Sequence, residues 1–304
     1  MGRILTGTAS WTDKSLVEGG LFYPPEADTS ATRLRYYAGL LPLVEVDSSY
    51  YALPSVHNSL LWVERTPSGF VFDVKAFRLF TQHPTEPAAL PRDIRKALGP
   101  VDKPHLYYRD VPAELRDELW QRFAMGIAPL RQADRLGVVL FQFPPWFLPS
   151  ATCYAHIVSC QEKLPGCRLA VEFRNRAWFA GDRPRRVWEF SREREVAYVV
   201  VDEPQGFASS IPALWEATRP DIAVVRLHGR NRDTWEQKGL ASASERFKYR
   251  YGREQLLELA GHVGELAGQV DTGHVIFNNN FEDWAQRNAL EFQEMVVGAE
   301  PGDP

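Results

Sequence analysis

The chain is poor in cysteine, with three in 304 residues, and it has no strong excess of either charge. Cys153, Cys160 and Cys167 recur every seven residues. Seven residues of helix rise about 10 Å, too far for a disulfide between the first two. The spacing also fits no common zinc motif, so the expectation is small buried thiols in a reducing cytoplasm. A net charge of −4 provides no general attraction to nucleic acid or to an anionic membrane. No apolar stretch approaches the roughly 18 residues needed to cross a bilayer. The opening segment lacks the apolar core of a secretory signal. Gly2 and Thr6 match the loose myristoylation pattern, but the segment reads as the lead into a first strand. A glycine-rich phosphate turn is missing as well: Thr6-Gly7-Thr8-Ala9-Ser10-Trp11 is not G-x-G-x-x-G, which argues against a doubly wound dinucleotide fold. Ser10, Ser48 and Ser49 lie outside any G-x-S-x-G elbow, which disfavours hydrolase-like triads. Short tandem repeats and low-complexity linkers are absent too.

What is present is ordinary in composition and unusual in pattern. Hydrophobic residues make up 44% and charged residues 24%, and the length suffices for a large core. Strand-like runs cover Ile4–Trp11, Leu43–Tyr50, Phe70–Phe77, Gly137–Phe143, Leu169–Arg174, Val196–Asp202, Ile222–Gly229 and His274–Asn280. Helical patterns alternate with them: 32–41, 57–65, 92–98, 113–136, 151–164, 183–194, 211–218, 253–267 and 281–297. Pro91, Pro112, Pro184 and Pro212 mark helix starts, where a missing N–H costs little. Strict alternation indicates a parallel sheet, and eight such units in this length predict a single (β/α)8 TIM barrel over residues 1–297. Residues 298–304 are expected to be a frayed tail.

The strands carry charge where a barrel interior usually carries Val, Ile and Leu. Period-two alternation puts Glu45 with Asp47, Asp73 with Lys75, Glu172 with Arg174, and Arg226 with His228 and Arg230 on common faces. The opposite faces (Val44, Val46; Phe72, Val74; Val171, Phe173; Val225, Leu227) are apolar and should meet the helices. The charged faces then point inward, and the weaker strands are read the same way, with Thr6, Thr8 and Ser10 on one face and Asn278 and Asn280 on another. Barrel active sites form at the C-terminal strand ends. An upper layer of Asp47, Lys75, Gln142, Arg174, Asp202, His228, Arg230, Asn278 and Asn280 is expected there. Beneath it, Glu45, Asp73, Glu172 and Arg226 are expected to be structural, pairing with upper neighbours or with one another, because an isolated buried charge costs several kcal/mol.

In this scheme Lys75, Arg174 and Arg230 hold a substrate anion, helped by Gln142, Asn278 and Asn280, and His228 transfers a proton. Asp47 and Asp202 orient or abstract. No cofactor is evident and a metal is not favoured, since His228 is the one inward histidine near a strand's C-terminal end; His274 is inward but at the bottom. His57, His83, His105, His156 and His262 fall on loops or helices, with solvated or capping roles expected. Aromatics crowd the loops: Phe22-Tyr23, Tyr50-Tyr51, Phe77 to Phe80, Trp146-Phe147 and Trp178-Phe179. The run Arg246-Phe247-Lys248-Tyr249-Arg250-Tyr251 alternates basic and aromatic residues, which suits either lids or stacking against single-stranded nucleic acid.

These motifs resemble the YecE-like family, a TIM-barrel domain of unknown function. The resemblance runs end to end, through Glu45-Val46-Asp47-Ser48-Ser49-Tyr50-Tyr51, Phe72-Asp73-Val74-Lys75-Ala76-Phe77, Leu140-Phe141-Gln142-Phe143-Pro144-Pro145, Val171-Glu172-Phe173-Arg174-Asn175, Arg226-Leu227-His228-Gly229-Arg230-Asn231 and Asn278-Asn279-Asn280. One departure is Ala9, where many relatives have glycine in a G-T-S-G-W run. The resemblance implies the barrel and a pocket at its C-terminal face, and no established reaction. The barrel is similar to those of the endonuclease-IV and xylose-isomerase group, whose multi-histidine metal site is not matched here. Three functions remain open: an enzyme for an anionic small molecule, a single-stranded nucleic-acid binder, and a scaffold stabilised by internal ion pairs.

Overall fold

The computed structural model describes residues 2–237, 239–240 and 243–297. The expected frayed tail, 298–304, lies outside them. The strands are β1 (Arg3–Ala9), β2 (Leu43–Val46), β3 (Val71–Lys75), β4 (Leu136–Gln142), β5 (Leu169–Glu172), β6 (Ala197–Asp202), β7 (Ile222–Leu227) and β8 (Thr272–Phe277). All pair in parallel and in sequence order, and β8 pairs with β1 to close the barrel. Closure removes the sheet edges that would otherwise be open to another chain.

Around the barrel lie α1 (Lys14–Gly19), α2 (Ser30–Ala38), α3 (Ser48–Tyr51), α4 (Val56–Glu64), α5 (Arg92–Leu98), α6 (Ala113–Gln132), α7 (Ala151–Lys163), α8 (Arg183–Glu193), α9 (Arg253–Ala267) and α10 (Trp284–Val297). Their starts follow local chemistry. Ser55 and Ser150 accept hydrogen bonds from backbone N–H groups two to three residues into α4 and α7, and Thr29 does so for α2. Pro91 and Pro112 directly precede α5 and α6. None of these helices is long and apolar enough to cross a membrane. Cys153, Cys160 and Cys167 are free thiols, and α7 ends before Cys167.

The two strand faces divide as their sequence alternates. Val44, Val46, Phe72, Val74, Val171, Phe173, Val225 and Leu227 are buried in one cluster with helix side chains such as Phe123, Ile127 and Leu259. Inside the barrel, Val138, Leu140, Ala170, Ala197, Val199, Val201 and Val224 form a second cluster. Leu5, Ala9, Leu43 and Ile276 form a third. Each large side chain buried this way contributes about 1.5–3 kcal/mol. Charge therefore fills only part of the interior, chiefly along β2, β3, β5 and β7.

Four expectations need correction. The segment 211–218 is irregular, not helical: Ile211 N–H donates to Glu203 (2.7 Å), and the Thr218 hydroxyl bridges Tyr198 N–H and Val196 C=O (both 2.8 Å). Those bonds tie the backbone to the edge of β6, so Pro212 starts no helix. Second, the run after Val46 turns into α3, where the Ser49 hydroxyl meets the carbonyls of Val46 and Lys75. Third, the inner face of β1 is Leu5, Gly7 and Ala9. A Cβ on Gly7 would lie 2.1 Å from the Leu43 carbonyl oxygen, so only glycine fits there. Thr8 instead faces α2, bonded through its N–H and hydroxyl to Tyr37. Fourth, the backbone of positive φ in this stretch belongs to Ser10 (φ 74°), not Ala9. Aligned residue by residue, the second glycine of G-T-S-G-W falls on Ser10, which bears the strain that glycine would relieve.

Candidate active site

The lower layer is a chain of buried ion pairs. Arg226 donates to both oxygens of Glu45 (Nε–Oε2 2.9 Å, Nη2–Oε1 2.8 Å) and through Nη1 to Glu172 Oε2 (2.5 Å). This fork geometry is one that only arginine offers two carboxylates at once. Glu172 Oε1 then receives Gln142 Nε2 (2.7 Å) and lies 3.1 Å from His228 Nε2 and 3.2 Å from Arg174 Nη1. Burial opposes ionisation of Glu172, yet Arg226, His228 and Arg174 outweigh it and hold its carboxyl well below the usual range. Glu45, with burial the larger influence and Arg226 opposing it, is raised. Asp73 stands apart from this chain. It lies at the bottom of the barrel, 3.0 Å from His274 Nδ1, and accepts Val138 N–H (2.9 Å). Gly137 leaves it room, since a Cβ there would come within 2.2 Å of Asp73 Oδ1.

At the mouth the side chains reach toward solvent. Lys75 Nζ is 3.1 Å from Asp47 Oδ1 and 4.7 Å over the Tyr50 ring. Burial lowers the affinity of Lys75 for its proton, but Asp47 and Glu45 outweigh it and raise its pKa. Arg174 lies 4.9 Å over the Trp235 ring. Asn278 Nδ2 is 2.7 Å from His228 Nδ1, and Asn280 donates to Ala9 C=O (2.8 Å).

His228 is fully enclosed, and both ring nitrogens are occupied. Burial, reinforced by Arg174 and Arg226 and only partly offset by Glu172, lowers its pKa to about 3. The neutral ring with Nε2–H toward Glu172 and Nδ1 accepting from Asn278 satisfies those two contacts, with Arg174 Nη1 also 3.2 Å from Nε2. A ring held in this way carries no charge near neutral pH.

Asp202 also differs from its expected place. Its strand neighbours Val200 and Tyr198 face the helices. Asp202 holds Arg230 with both oxygens (2.8–3.0 Å) and accepts the Tyr251 hydroxyl (2.7 Å). It therefore fixes Arg230 at the rim and does not face the barrel axis.

Glu203, one residue on, is the acidic group that the sequence did not single out. It is buried, its Oε1 accepts Ile211 N–H, and its Oε2 lies 3.1 Å from Arg174 Nη1 without a hydrogen bond to any described residue. Burial is the main reason that its pKa rises to about 7, with Arg174 opposing and Glu172 and Asp202 adding to the rise. Lys75, Arg174 and Arg226 balance Glu45, Asp47 and Glu172 in number, so Glu203 is the surplus carboxyl of the cluster. It falls just beyond the end of β6 in Val201-Asp202-Glu203-Pro204, and only the resulting pairing with Arg174 distinguishes it from a loop acid.

Two further sequence expectations change here. His83 is half-buried beside the mouth, with its ring 5.3 Å from Tyr50 and 5.9 Å from Trp146. Burial, then Lys75, Arg78 and Arg174, lowers its pKa to about 3. His156 bonds Phe80 C=O (2.8 Å) among aromatic rings and is not a solvated helix residue. Among the described residues no group of three or more His, Cys, Asp or Glu side chains is arranged to hold a metal ion.

Comparison with known proteins gives a consistent picture. The model of a family described as protein of unknown function DUF72 matches residues 5–303. The chain is similar to UPF0759 protein YunF of Bacillus subtilis (strain 168), at 30% identity over 96% of this chain and 94% of that protein. Its fold is that of a DUF72 family protein from Enterococcus faecalis V583, at a TM-score of 0.78 and 24% identity over 99% and 98% of the two chains. A DUF72 family protein from Thermotoga maritima MSB8 aligns at a TM-score of 0.73 and 29% identity, covering 97% and 99%.

Proposed function

The chain belongs to the DUF72 family, and from the geometry of the barrel mouth we propose that it is an enzyme acting by proton transfer on a small phosphorylated or carboxylated molecule. Lys75 and Arg174 meet the anion, with Arg230 at the rim held in place by Asp202. Gln142, Asn278 and Asn280 supply neutral hydrogen bonds around it. Asp47 orients Lys75, while His228 orients Glu172 and Arg174. Glu203 is the proton-transfer group, and no cofactor enters the proposed step.

The observation that carries this reading is the contact of Glu203 with Arg174 at the C-terminal strand ends. A buried carboxyl with an unbonded oxygen, poised near neutrality beside a cation that reaches solvent, has the properties of a general acid or base. Structural pairing alone accounts for Glu45, Glu172 and Arg226, which satisfy one another, whereas Glu203 Oε2 has only its contact with Arg174, a cation that Glu172 already shares. The scaffold reading is thus the weaker one. Nor does the basic–aromatic run favour nucleic acid. Phe247 packs 5.9 Å from His228, Tyr251 bonds Gly229 N–H and Asp202, and Lys248 lies over Phe281, which is how a lid is built. The free thiols of Cys153, Cys160 and Cys167 support work in the cytoplasm.

Calorimetric titration with inorganic phosphate and with small phosphorylated and carboxylated compounds tests the proposal. Binding is expected for at least one class, with the Lys75→Ala variant losing on the order of tenfold or more in affinity. A folded protein that binds none of these compounds would overturn it in favour of the scaffold.

A further inference from the structure

The loops after β3 and β4 meet at a cleft that the proton-transfer site does not use. It has a volume of about 560 Å3 and is lined by Gln82, Tyr107, Tyr108, Arg109, Trp146 and Thr152. Trp146 is 55% exposed and Tyr107 38% exposed. Rings of that size give up much hydrophobic stabilisation by standing in water, and clustered exposed aromatics mark a ligand surface. Gln82 adopts a φ of 61°, a conformation that costs a non-glycine residue about 1–3 kcal/mol. Bonds from Gln82 N–H to Leu79 C=O and from His83 N–H to Arg78 C=O hold it there. Among the described residues, the Gln82 amide and the Arg109 guanidinium have no hydrogen-bond or ion-pair partner, so their donors are available to a ligand.

A row of packed rings links the cleft to the mouth. Trp146 lies 5.9 Å from the His83 ring, His83 lies 5.3 Å from Tyr50, and Lys75 Nζ sits 4.7 Å over Tyr50. His83 stays neutral between them, so this bridge adds a ring face without adding charge. We infer that the molecule bound at the mouth is a phosphate monoester bearing a planar aromatic ring, and that the ring lies in this cleft against Trp146 and Tyr107. The inference rests on the anion reading above and extends it. A lining richer in rings than in charged groups suits a flat ring better than a hydroxyl-rich sugar, while Gln82 and Arg109 can bond the heteroatoms of its edge. Lys75 and Arg174 at the mouth would meet the phosphate.

Isothermal calorimetry with three probes tests the inference: adenosine 5′-monophosphate, ribose 5-phosphate and adenosine. Base–aromatic stacking predicts that the nucleotide binds on the order of tenfold more tightly than the sugar phosphate. Trp146→Ala should remove that advantage and leave ribose 5-phosphate binding as it was, and Tyr107→Ala should reduce it. Lys75→Ala should weaken both phosphates alike. Equal affinity for the two phosphates, or an advantage that survives in both aromatic variants, would overturn the inference. Loss of binding by both phosphates, with adenosine still bound through Trp146, would overturn the anion reading and leave the ring site standing. Failure of all three probes would overturn both.

Discussion

Glu203 provides the sharpest test, because its raised pKa makes a signed statement about stability. Its carboxyl titrates near 4.5 when unperturbed and at about 7 in the fold. Between those values the native state binds more protons than the unfolded state, so stability falls as pH rises through the window. For a shift of this size the loss between about pH 5 and about pH 8 is about 2.5 kcal/mol. The Glu203→Gln variant imitates the protonated acid and keeps an acceptor for Ile211 N–H, so it should lack this slope. Stability of the two proteins, measured by urea denaturation across that range, should therefore diverge: the variant gains on the parent as pH rises. Titration of Glu45 and of the other groups is common to both proteins and cancels in the difference. Parallel curves for the two proteins would refute the assignment of Glu203 as a carboxyl poised near neutrality. A gain of the variant at low pH would reverse the sign and refute it as well.

Two further outcomes follow from the buried network. Arg226→Met leaves Glu45 and Glu172 without their shared partner, and it should cost about 3–5 kcal/mol in urea denaturation; a loss below about 1 kcal/mol would show that the pairs are not mutually dependent. His228 has a pKa lowered to about 3 from 6.5, so its contribution to stability is complete above 6.5 and is lost as pH falls toward 3. Nitrogen-15 NMR near about pH 5.5 should find a neutral ring protonated at Nε2, and a doubly protonated imidazole there would refute the proposed positioning role.

The barrel was legible in the sequence because its signals are local and repeated. Val44-Glu45-Val46 and Val171-Glu172-Phe173 alternate with period two, and helices separate most of the strands, so parallel pairing and an inward charged face follow from chain geometry alone. The segment 211–218 was misread for the complementary reason: Pro212 and the apolar spacing suit a helix start, but tertiary bonds from Thr218 to the start of β6 hold it in an irregular path. Alternation does put Asp202 and Glu203 on opposite faces, but both faces of Ala197–Val201 are apolar, so the sequence did not show that Asp202 turns out to Tyr251 and Arg230 while Glu203 turns in to Arg174.

Sequence alone thus determined an eight-stranded barrel with a band of charge on the inner faces of β2, β3, β5 and β7. Which of those charges neutralise one another was decided by the tertiary structure. Stagger and closure set Arg226 between Glu45, 181 residues away along the chain, and Glu172, and set His274 on Asp73 at the opposite end. Burial then converted that arrangement into chemistry. The same desolvation that lowers the pKa of His228 raises that of Glu203, because burial disfavours the charged form of each, the protonated ring in one and the carboxylate in the other.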